Sequence, residues 1–554
     1  VRVISPDVGG GFGVKAQAYP EEVACALAAL ALRRPVRWIE DRREHFVASH
    51  HSREHLHDAT LHYTDDGQIT ALDAELWVDM GAYSVFPWTA TMDTGMAMGI
   101  LPGPYRFTGY SVVGHPTCTN KTPYGAYRGV SRPAACFTIE RLVDWMARDL
   151  GRDRLEIRRQ NLVTNTDYPW TNAGGLVYDG GSLVESLDTM REWIGYDDLT
   201  TRLADDRRMG RLRGLGLAVF TEQTAHTTEE FKKRGVPIVF GYETAALRLD
   251  STGHLTISAS IHSHGQGLET TLAQFVGDTL GLPLERIKVV FGDTDQVPYG
   301  AGTFASRSAV LAGGASRLAA ADLREKLARI AGHILEAAPD DLVFDNDGVG
   351  IAGVPDSSIS LGELCRITYQ RPDLLPPGEV PILEAVRTYD AAPGTGTFTN
   401  AVHAAVIEAD PGTGAITVED YWVVEDCGRM INPMVVEGQI HGGVAQGIGT
   451  ALFEEMVYDD DGQLLTTTYM DYLLPTSQDI PFIHTRHLET PSPDTEGGIK
   501  GMGEGGAIAP AAVIAGALED ALSNLGPVWV NRVPLTPERV LGHIDDASAQ
   551  NGGT

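Results

Sequence analysis

Near the far end of the sequence the run Lys500 to Gly506, KGMGEGG, sets one carboxylate, Glu504, among Gly501, Gly503, Gly505 and Gly506. Backbone without Cβ atoms lets a bulky ligand approach the acid closely, the pattern of a general base facing a cofactor. An acid in an ordinary surface turn has the same local sequence, so the other loops must decide. Lys500, ahead of the loop, reads either as a charge that lowers the proton affinity of Glu504 or as an exposed side chain.

Several further glycine turns carry polar residues. Gly9 to Lys15, GGGFGVK, lacks the Lys-Ser/Thr ending of a phosphate loop, because Val14 intervenes and Ala16 follows. Its spacing also misses GxGxxG. What remains is a turn whose N–H groups meet a polar or anionic ligand. Ser263 to Gly267, SHGQG, offers the Gln266 amide where a helix begins, and Pro298 to Ser308, PYGAGTFASRS, adds hydroxyls. Together these loops suit a large cofactor that contains phosphate. His50, His51, His55 and His57 could share a divalent metal, with His55 and His57 on one strand face, but a solvated strand is the favoured reading.

The elements that must hold these loops are of mixed α+β type. Val1 to Asp7 and Val36 to Ile39 read as strands, and Pro20 to Leu32 as an apolar helix opened by Glu21 and Glu22. Ala59 to Tyr63 and Ile69 to Val78 form a hairpin, as do Glu243 to Leu249 and Leu255 to Ile261. Strand Thr417 to Glu425 leads through Asp426, Cys427 and Gly428 to a helix bearing Gln439. A polar stretch near 166–210 is the expected boundary, giving domains 1–165 and 211–554 around a connecting segment. The first residues, without a leader, imply something upstream.

Composition narrows the function. The chain has 554 residues, of which 74 are acidic and 43 basic, and its net charge of −31 argues against nucleic acid and against an anionic membrane surface. No segment is expected to span a membrane, the longest apolar candidate being Val23 to Leu32. Five scattered cysteines without a CxxC pair fit a reducing, cytoplasmic setting and cannot house an iron–sulfur cluster by themselves. Any such centre belongs to a partner.

GGGFGVK, GAYRGVSRP (Gly125 to Pro133), SHGQGLETT, GDTDQVPYGAGTFASRS, DCGRMINPMVVEGQIHGG (Asp426 to Gly443) and KGMGEGG occur in one order across nearly the whole chain. In this the sequence resembles the molybdenum-binding large subunits of the xanthine oxidase family, most nearly the carbon monoxide dehydrogenase large-subunit type. The resemblance implies two molybdenum-cofactor-binding domains with mixed sheets, flanking helices and the cofactor between them. It implies molybdenum on a molybdopterin cytosine dinucleotide, held through the pterin with no side chain on the metal. Electrons then leave for 2Fe-2S clusters on a small subunit and FAD on a medium subunit. The usual first quarter to third of a large subunit is expected as a missing or separate part.

Matched motif by motif, Glu504 is the expected base and Arg128 an arginine beside the substrate. Gly11, Phe12 and Gly13 lie against the metal, and Gln266, Gly267, Thr303, Ala305, Ser306, Ser308 and Gln439 hold the pterin and its phosphates. Phe220, Thr221 and Glu222 form a pocket wall with Val130, Tyr124 and Phe304.

Departures are informative. Copper-containing carbon monoxide dehydrogenases carry a cysteine directly after the AYR arginine, where this chain has Gly129. Xanthine-type enzymes place a glutamate where Ala16 stands, an aromatic at Val130 and an arginine within a segment corresponding to 88–105, which has none. Trp88, Met92, Met96, Met98, Tyr124 and Phe304 instead suggest an apolar, adaptable pocket for a heteroaromatic or aldehyde, oxidised with water as oxygen source. Carbon monoxide oxidation and a non-catalytic subunit are the alternatives.

Overall fold

The computed structural model describes residues 1–88, 91–236, 238–239, 241–345, 347–391 and 394–551. Thr89 and Ala90, inside the expected pocket segment 88–105, lie outside them, as do 552–554 at the end of the expected second domain.

A four-stranded sheet forms the spine of the molecule, in the order Ile483–Leu488, Ile416–Asp426, Thr397–Ala409, Leu212–Thr224. Thr397–Ala409 pairs antiparallel with both of its neighbours, while the edge strand Ile483–Leu488 runs parallel to Ile416–Asp426. Strand Thr397–Ala409 is buried at nearly every position, as expected of a strand covered on both faces. On one face pack Val436, Ile440 and Val444 of the helix Pro433–Leu452 and Val513, Ile514 and Leu518 of Pro510–Leu522. On the other face, Leu215, Val219 and Val402 join one core with Leu72, Ile139, Leu155, Leu187 and Leu203 from the first half. That core runs through the segment 166–210, which contains the helices Leu183–Ile194 and Tyr196–Arg208.

The first half adds a sheet of His55–Tyr63, Ile69–Gly81 and Gly109–Cys118, the first two being the expected hairpin. A second four-stranded sheet, Glu384–Asp390, Tyr242–Leu249, Leu255–Ala259, Ile287–Val290, carries the helices Leu268–Leu280 and Ser308–Leu335 over a separate core. Buried ions brace the first half and tie it to the second: Arg158 Nε lies 2.8 Å from Glu140 and its NH1 2.7 Å from Asp144, while Arg141 pairs with Asp144 and, across the halves, with Glu519.

Several local expectations need correction. Val1 to Asp7 forms no strand, only a bridge between Ile4 and Asp293, because its neighbour is a turn with one ladder contact to offer. Val36 to Ile39 likewise has no strand partner. The helix Pro20–Leu32 has the expected bounds, yet none of its residues is buried. One segment, Gly505–Leu522, is apolar and long enough to cross a membrane, with mean hydropathy 1.3, contrary to the expectation of none; 89% of it is buried as a core helix.

The histidines are not a solvated strand. His50 and His51 are buried, bonded at 2.9 Å to the carbonyls of Ala126 and Phe46 and at 2.9 and 3.0 Å to the hydroxyls of Tyr19 and Tyr458. His57 Nδ1 meets Thr138 at 2.7 Å, and His55 lies 3.4 Å from Asp93. Burial drives the proton affinity of His51 down to about 4 and of His57 to about 3, so they act as neutral hydrogen-bonding rings. No metal-holding group of three acidic, histidine or cysteine side chains occurs among the described residues.

Candidate active site

A cavity of about 1000 Å³ collects the glycine loops of both halves. Three helices point their amino ends into it. Gln266, Leu268 and Thr271 open the helix Leu268–Leu280; Arg307, Ser308 and Ala309 open Ser308–Leu335; Asn432 and Val435 open Pro433–Leu452, with Gln439 further along it. Each presents the positive end of a dipole, and the first two have no side-chain cap on their N–H groups, whereas Asn432 Oδ1 accepts the Val435 N–H of the third, so the cavity favours a ligand with anionic groups. Lys15 and Arg429 add positive side chains to its wall.

Backbone strain gathers here. Phe12, Val130, Ala305 and Ser306 hold φ of 52°, 53°, 51° and 49°, left-handed angles that non-glycine residues adopt at a cost of about 1–3 kcal/mol each. Arg53 helps to hold this geometry by donating to the carbonyls of Val130 and Arg128.

Glu504 stands in the wall between the loops, its side chain 12% exposed. Oε1 accepts the Gly129 N–H at 2.8 Å, and Oε2 lies 3.0 Å from Ser306 Oγ. Arg132 approaches Oε1 at 3.9 Å. These contacts aim an otherwise mobile acid in one direction. Glycine is required around it: a Cβ on Gly501 would overlap the Ser306 carbonyl, and one on Gly506 would sit 2.6 Å from the Ile440 carbonyl.

Arg128 reaches the site as a clamp. Its Nε donates to Gly503 O at 2.6 Å, NH1 to Gln446 Oε1 at 3.0 Å, and NH2 to Gln439 O and Oε1 at 3.0 and 3.1 Å. The guanidinium thus spends its donors joining the Glu504 loop to the helix Pro433–Leu452. Lys500 is neither exposed nor turned toward Glu504; it is buried and donates to Gly180 O at 2.9 Å, and its charge only partly offsets the burial that raises the proton affinity of the nearby Asp179.

Gly11, Phe12, Gly13, Gln266, Thr303, Phe304, Ala305, Ser306, Ser308, Gln439 and Val130 line the cavity, as do Trp88, Met92 and Met96. Gly267 caps the helix Leu268–Leu280 just behind that wall, with φ 79°. Other expected pocket residues lie outside the lining. Tyr124 is buried and donates to Glu54 Oε2 at 2.6 Å; Phe220 packs edge-on to His403; Thr221 is buried beside it on the same strand; Met98 joins the first-half core. Alternation along Leu212–Thr224 turns Phe220 and Glu222 to one face of the spine sheet, and Glu222 reaches the site only through Ser306, at 2.9 Å.

Sequence reasoning passed over Gln17, Arg132, His226 and Glu425. Gln17 is 6% exposed, lines the cavity, and neither end of its amide has a hydrogen-bond partner in the protein; His226 Nδ1 is likewise unpartnered. Arg132 sits inside the GAYRGVSRP motif and was in plain sight. Nothing local marks Glu425, which comes from a strand distant in sequence.

Dipole ends, glycine turns that admit a close ligand, unpartnered buried polar groups and one positioned carboxylate are the features of a site suited to a bulky ligand with anionic groups. Residues 1–162 and 189–481 each match the molybdopterin cofactor-binding domain models, and the chain belongs to that family, as a molybdenum-binding large subunit of the xanthine oxidase type. It is 41% identical to the nicotine 6-hydroxylase large subunit of Paenarthrobacter nicotinovorans over 98% of this chain and 66% of that protein. It is 35% identical to the carbon monoxide dehydrogenase large chain of Hydrogenophaga pseudoflava, over 98% and 67%. The structure of quinoline 2-oxidoreductase from Pseudomonas putida 86 superposes with a TM-score of 0.93 at 43% identity, covering 98% of this chain and 69% of that one. The chain therefore spans about two thirds of the length of these relatives.

Proposed function

We propose that this chain is the catalytic part of a molybdenum hydroxylase that oxidises an N-heteroaromatic or aldehyde substrate with oxygen from water. The observation that carries this is Glu504, held by Gly129 and Ser306 at the edge of a cavity ringed by three helix amino ends. Relatives named for nicotine and quinoline favour the heteroaromatic class. So do Trp88, Phe231 and Phe304, whose rings pack together at one end of the cavity and supply apolar surface for a flat ring.

Molybdenum on the pterin, when bound, supplies the oxygen-transfer and two-electron chemistry. The residues of this chain bind, orient and move a proton. The helix amino ends beside Gln266, Ser308 and Asn432, together with Gln439, would receive the phosphates, and Gly11, Phe12 and Gly13 would present backbone to the cofactor. Glu504 takes the proton that leaves the attacking oxygen of water as it bonds to the electron-poor carbon of the substrate. Arg128 keeps the loop of Glu504 fixed to the cofactor wall. The aromatic end excludes water from the substrate.

The cytosine dinucleotide form of the pterin, 2Fe-2S clusters and FAD on small and medium partner subunits, and a cytoplasmic setting complete the proposal, with domains 1–165 and 211–554 flanking the cofactor. Carbon monoxide oxidation through a cysteine-bridged copper fits poorly. Gly129 holds φ 95°, and a Cβ there would lie 3.0 Å from the Pro133 ring, so a cysteine at this position needs a different local backbone.

Glu504→Gln tests the assignment: the amide cannot accept the proton, so turnover falls at least a thousandfold while molybdenum content is unchanged. Retained turnover refutes the base. Metal and nucleotide analysis of the isolated protein tests the cofactor, with about one molybdenum per chain and released cytidine monophosphate expected.

A further inference from the structure

Ser306 Oγ lies 2.9 Å from Glu222 Oε1 and 3.0 Å from Glu504 Oε2. A serine hydroxyl has one hydrogen to donate, so it can satisfy only one of two carboxylates. Hydrogen-bond contact with the other requires that carboxyl group to donate to the serine oxygen. The trio therefore holds one proton beyond the hydroxyl's own. We infer that Glu222 and Glu504 share this proton through Ser306, and that at rest it sits on Glu222, which makes Glu222 a positioning residue for the base. The inference rests on the reading of Glu504 as that base.

Geometry decides the side. Glu222 is fully buried on the strand Leu212–Thr224, and its remaining contact is Thr399 Oγ1 at 3.4 Å. Glu504 has the Gly129 N–H, Arg132 nearby and partial solvent contact, all of which favour an anion. The charged groups that act on Glu222 are Arg132 and Arg128 on one side and Glu504 on the other. Behind it, Glu425 shares the sheet face: Glu222 pairs with Thr399, and Glu425 with Ala401, two residues along the same central strand.

A Cβ added to Gly505 would lie 3.3 Å from both Glu222 Oε2 and Glu425 Oε1, so the backbone of the Glu504 loop passes close against both carboxyls. Both oxygens of Glu425 are buried without a hydrogen bond. Burial, then the neighbouring Glu222 and Asp426, raise its proton affinity far above the usual carboxylate range, leaving it no anion with which to attract a proton from Glu222. Burial first, then the facing Glu504, also raise that of Glu222.

When Glu222 does lose its proton, Ser306 can donate to only one of two facing anions, and Glu504 loses either its hydrogen bond or its place. Turnover then acquires an alkaline limb set by a residue that never touches substrate.

Infrared spectra of the isolated holoenzyme across pH test this, together with steady-state turnover. A carboxylic-acid carbonyl band that bleaches on alkaline titration is expected, absent in Glu222→Gln and distinct from the band removed by Glu425→Gln. In Glu504→Gln the band should persist with its midpoint moved to lower pH, because the facing anion is gone. Glu222→Gln, whose amide mimics the protonated acid, should lose the alkaline limb of kcat. Persistence of the titrating band, or of an unchanged alkaline limb, in Glu222→Gln overturns the inference. Should that variant not accumulate, Ser306→Ala replaces it: the bridge gives the protonated trio two hydrogen bonds and the doubly anionic one a single bond, so the midpoint must fall once it is gone, and an unmoved midpoint overturns the shared proton. If Glu504→Gln stays active while the band behaves as expected, the base assignment fails and the shared proton stands.

Discussion

Arg128 spends four hydrogen bonds on Gly503, Gln446 and Gln439, all inside the protein. A lysine has a single charged nitrogen and cannot reach acceptors spread around a planar fork. Arg128→Lys should therefore cost about 3 kcal/mol of unfolding free energy, measured by denaturant titration, and loosen Glu504 as well. Glu425 behaves in the opposite sense. Its folded state holds a proton that the unfolded chain releases near the ordinary carboxylate range, so stability declines as pH rises from that range toward the raised folded value. Glu425→Gln should remove this loss. The variant should melt above the parent at pH 8 and close to it at pH 4, each tenfold difference in proton affinity being about 1.4 kcal/mol.

Among elements, the strand Leu212–Thr224 and the helix Pro510–Leu522 show how close packing sets the site. The strand carries Gly214 and Gly216 where the helix crosses it, and a Cβ on Gly216 would overlap the Val513 carbonyl. Backbone cannot yield as a flexible side chain can. Gly216→Ala should destabilise by about 3 kcal/mol or more, read as a lowered unfolding midpoint. Because the same strand bears Glu222, and Glu504 precedes the helix, the substitution should also depress turnover beyond the loss of folded protein. An exposed glycine such as Gly210 gives the comparison for φ alone, since nothing lies within 4 Å of its Cβ position.

Across the whole molecule, the halves are joined both at the cavity loops and through the core that Leu215, Val219 and Val402 share with Leu72, Ile139 and Leu155. Elsewhere the packing is uneven. The helix Pro20–Leu32 exposes Val23, Leu27 and Leu30 at 56%, 61% and 75%. Leu27→Glu and Leu30→Glu should each change the stability of this chain by no more than about 0.5 kcal/mol, in contrast with core positions such as Leu518, where truncation to alanine should cost about 2–5 kcal/mol. Chemical unfolding of the three variants separates the two cases.

What the sequence by itself determined was local chemistry. Glycine turns can admit a close ligand, the strands read at 59–63 with 69–78 and at 243–249 with 255–261 pair as hairpins, and a lone acid among glycines can face something bulky. Six motifs in order also carried the family. Tertiary structure alone decided which residues share the site. Arg128 could be read as a substrate contact until its donors were seen to be spent, Tyr124 until its hydroxyl met Glu54, and Lys500 as exposed until it was found buried against Gly180. Glu222 was legible only as part of a wall, because its partners Ser306, Thr399 and Glu504 lie 84, 177 and 282 residues away along the chain. Local sequence specifies turns and faces through short-range sterics and hydropathy. The sharing of a proton depends on distances that only the packed sheet and its crossing loops create.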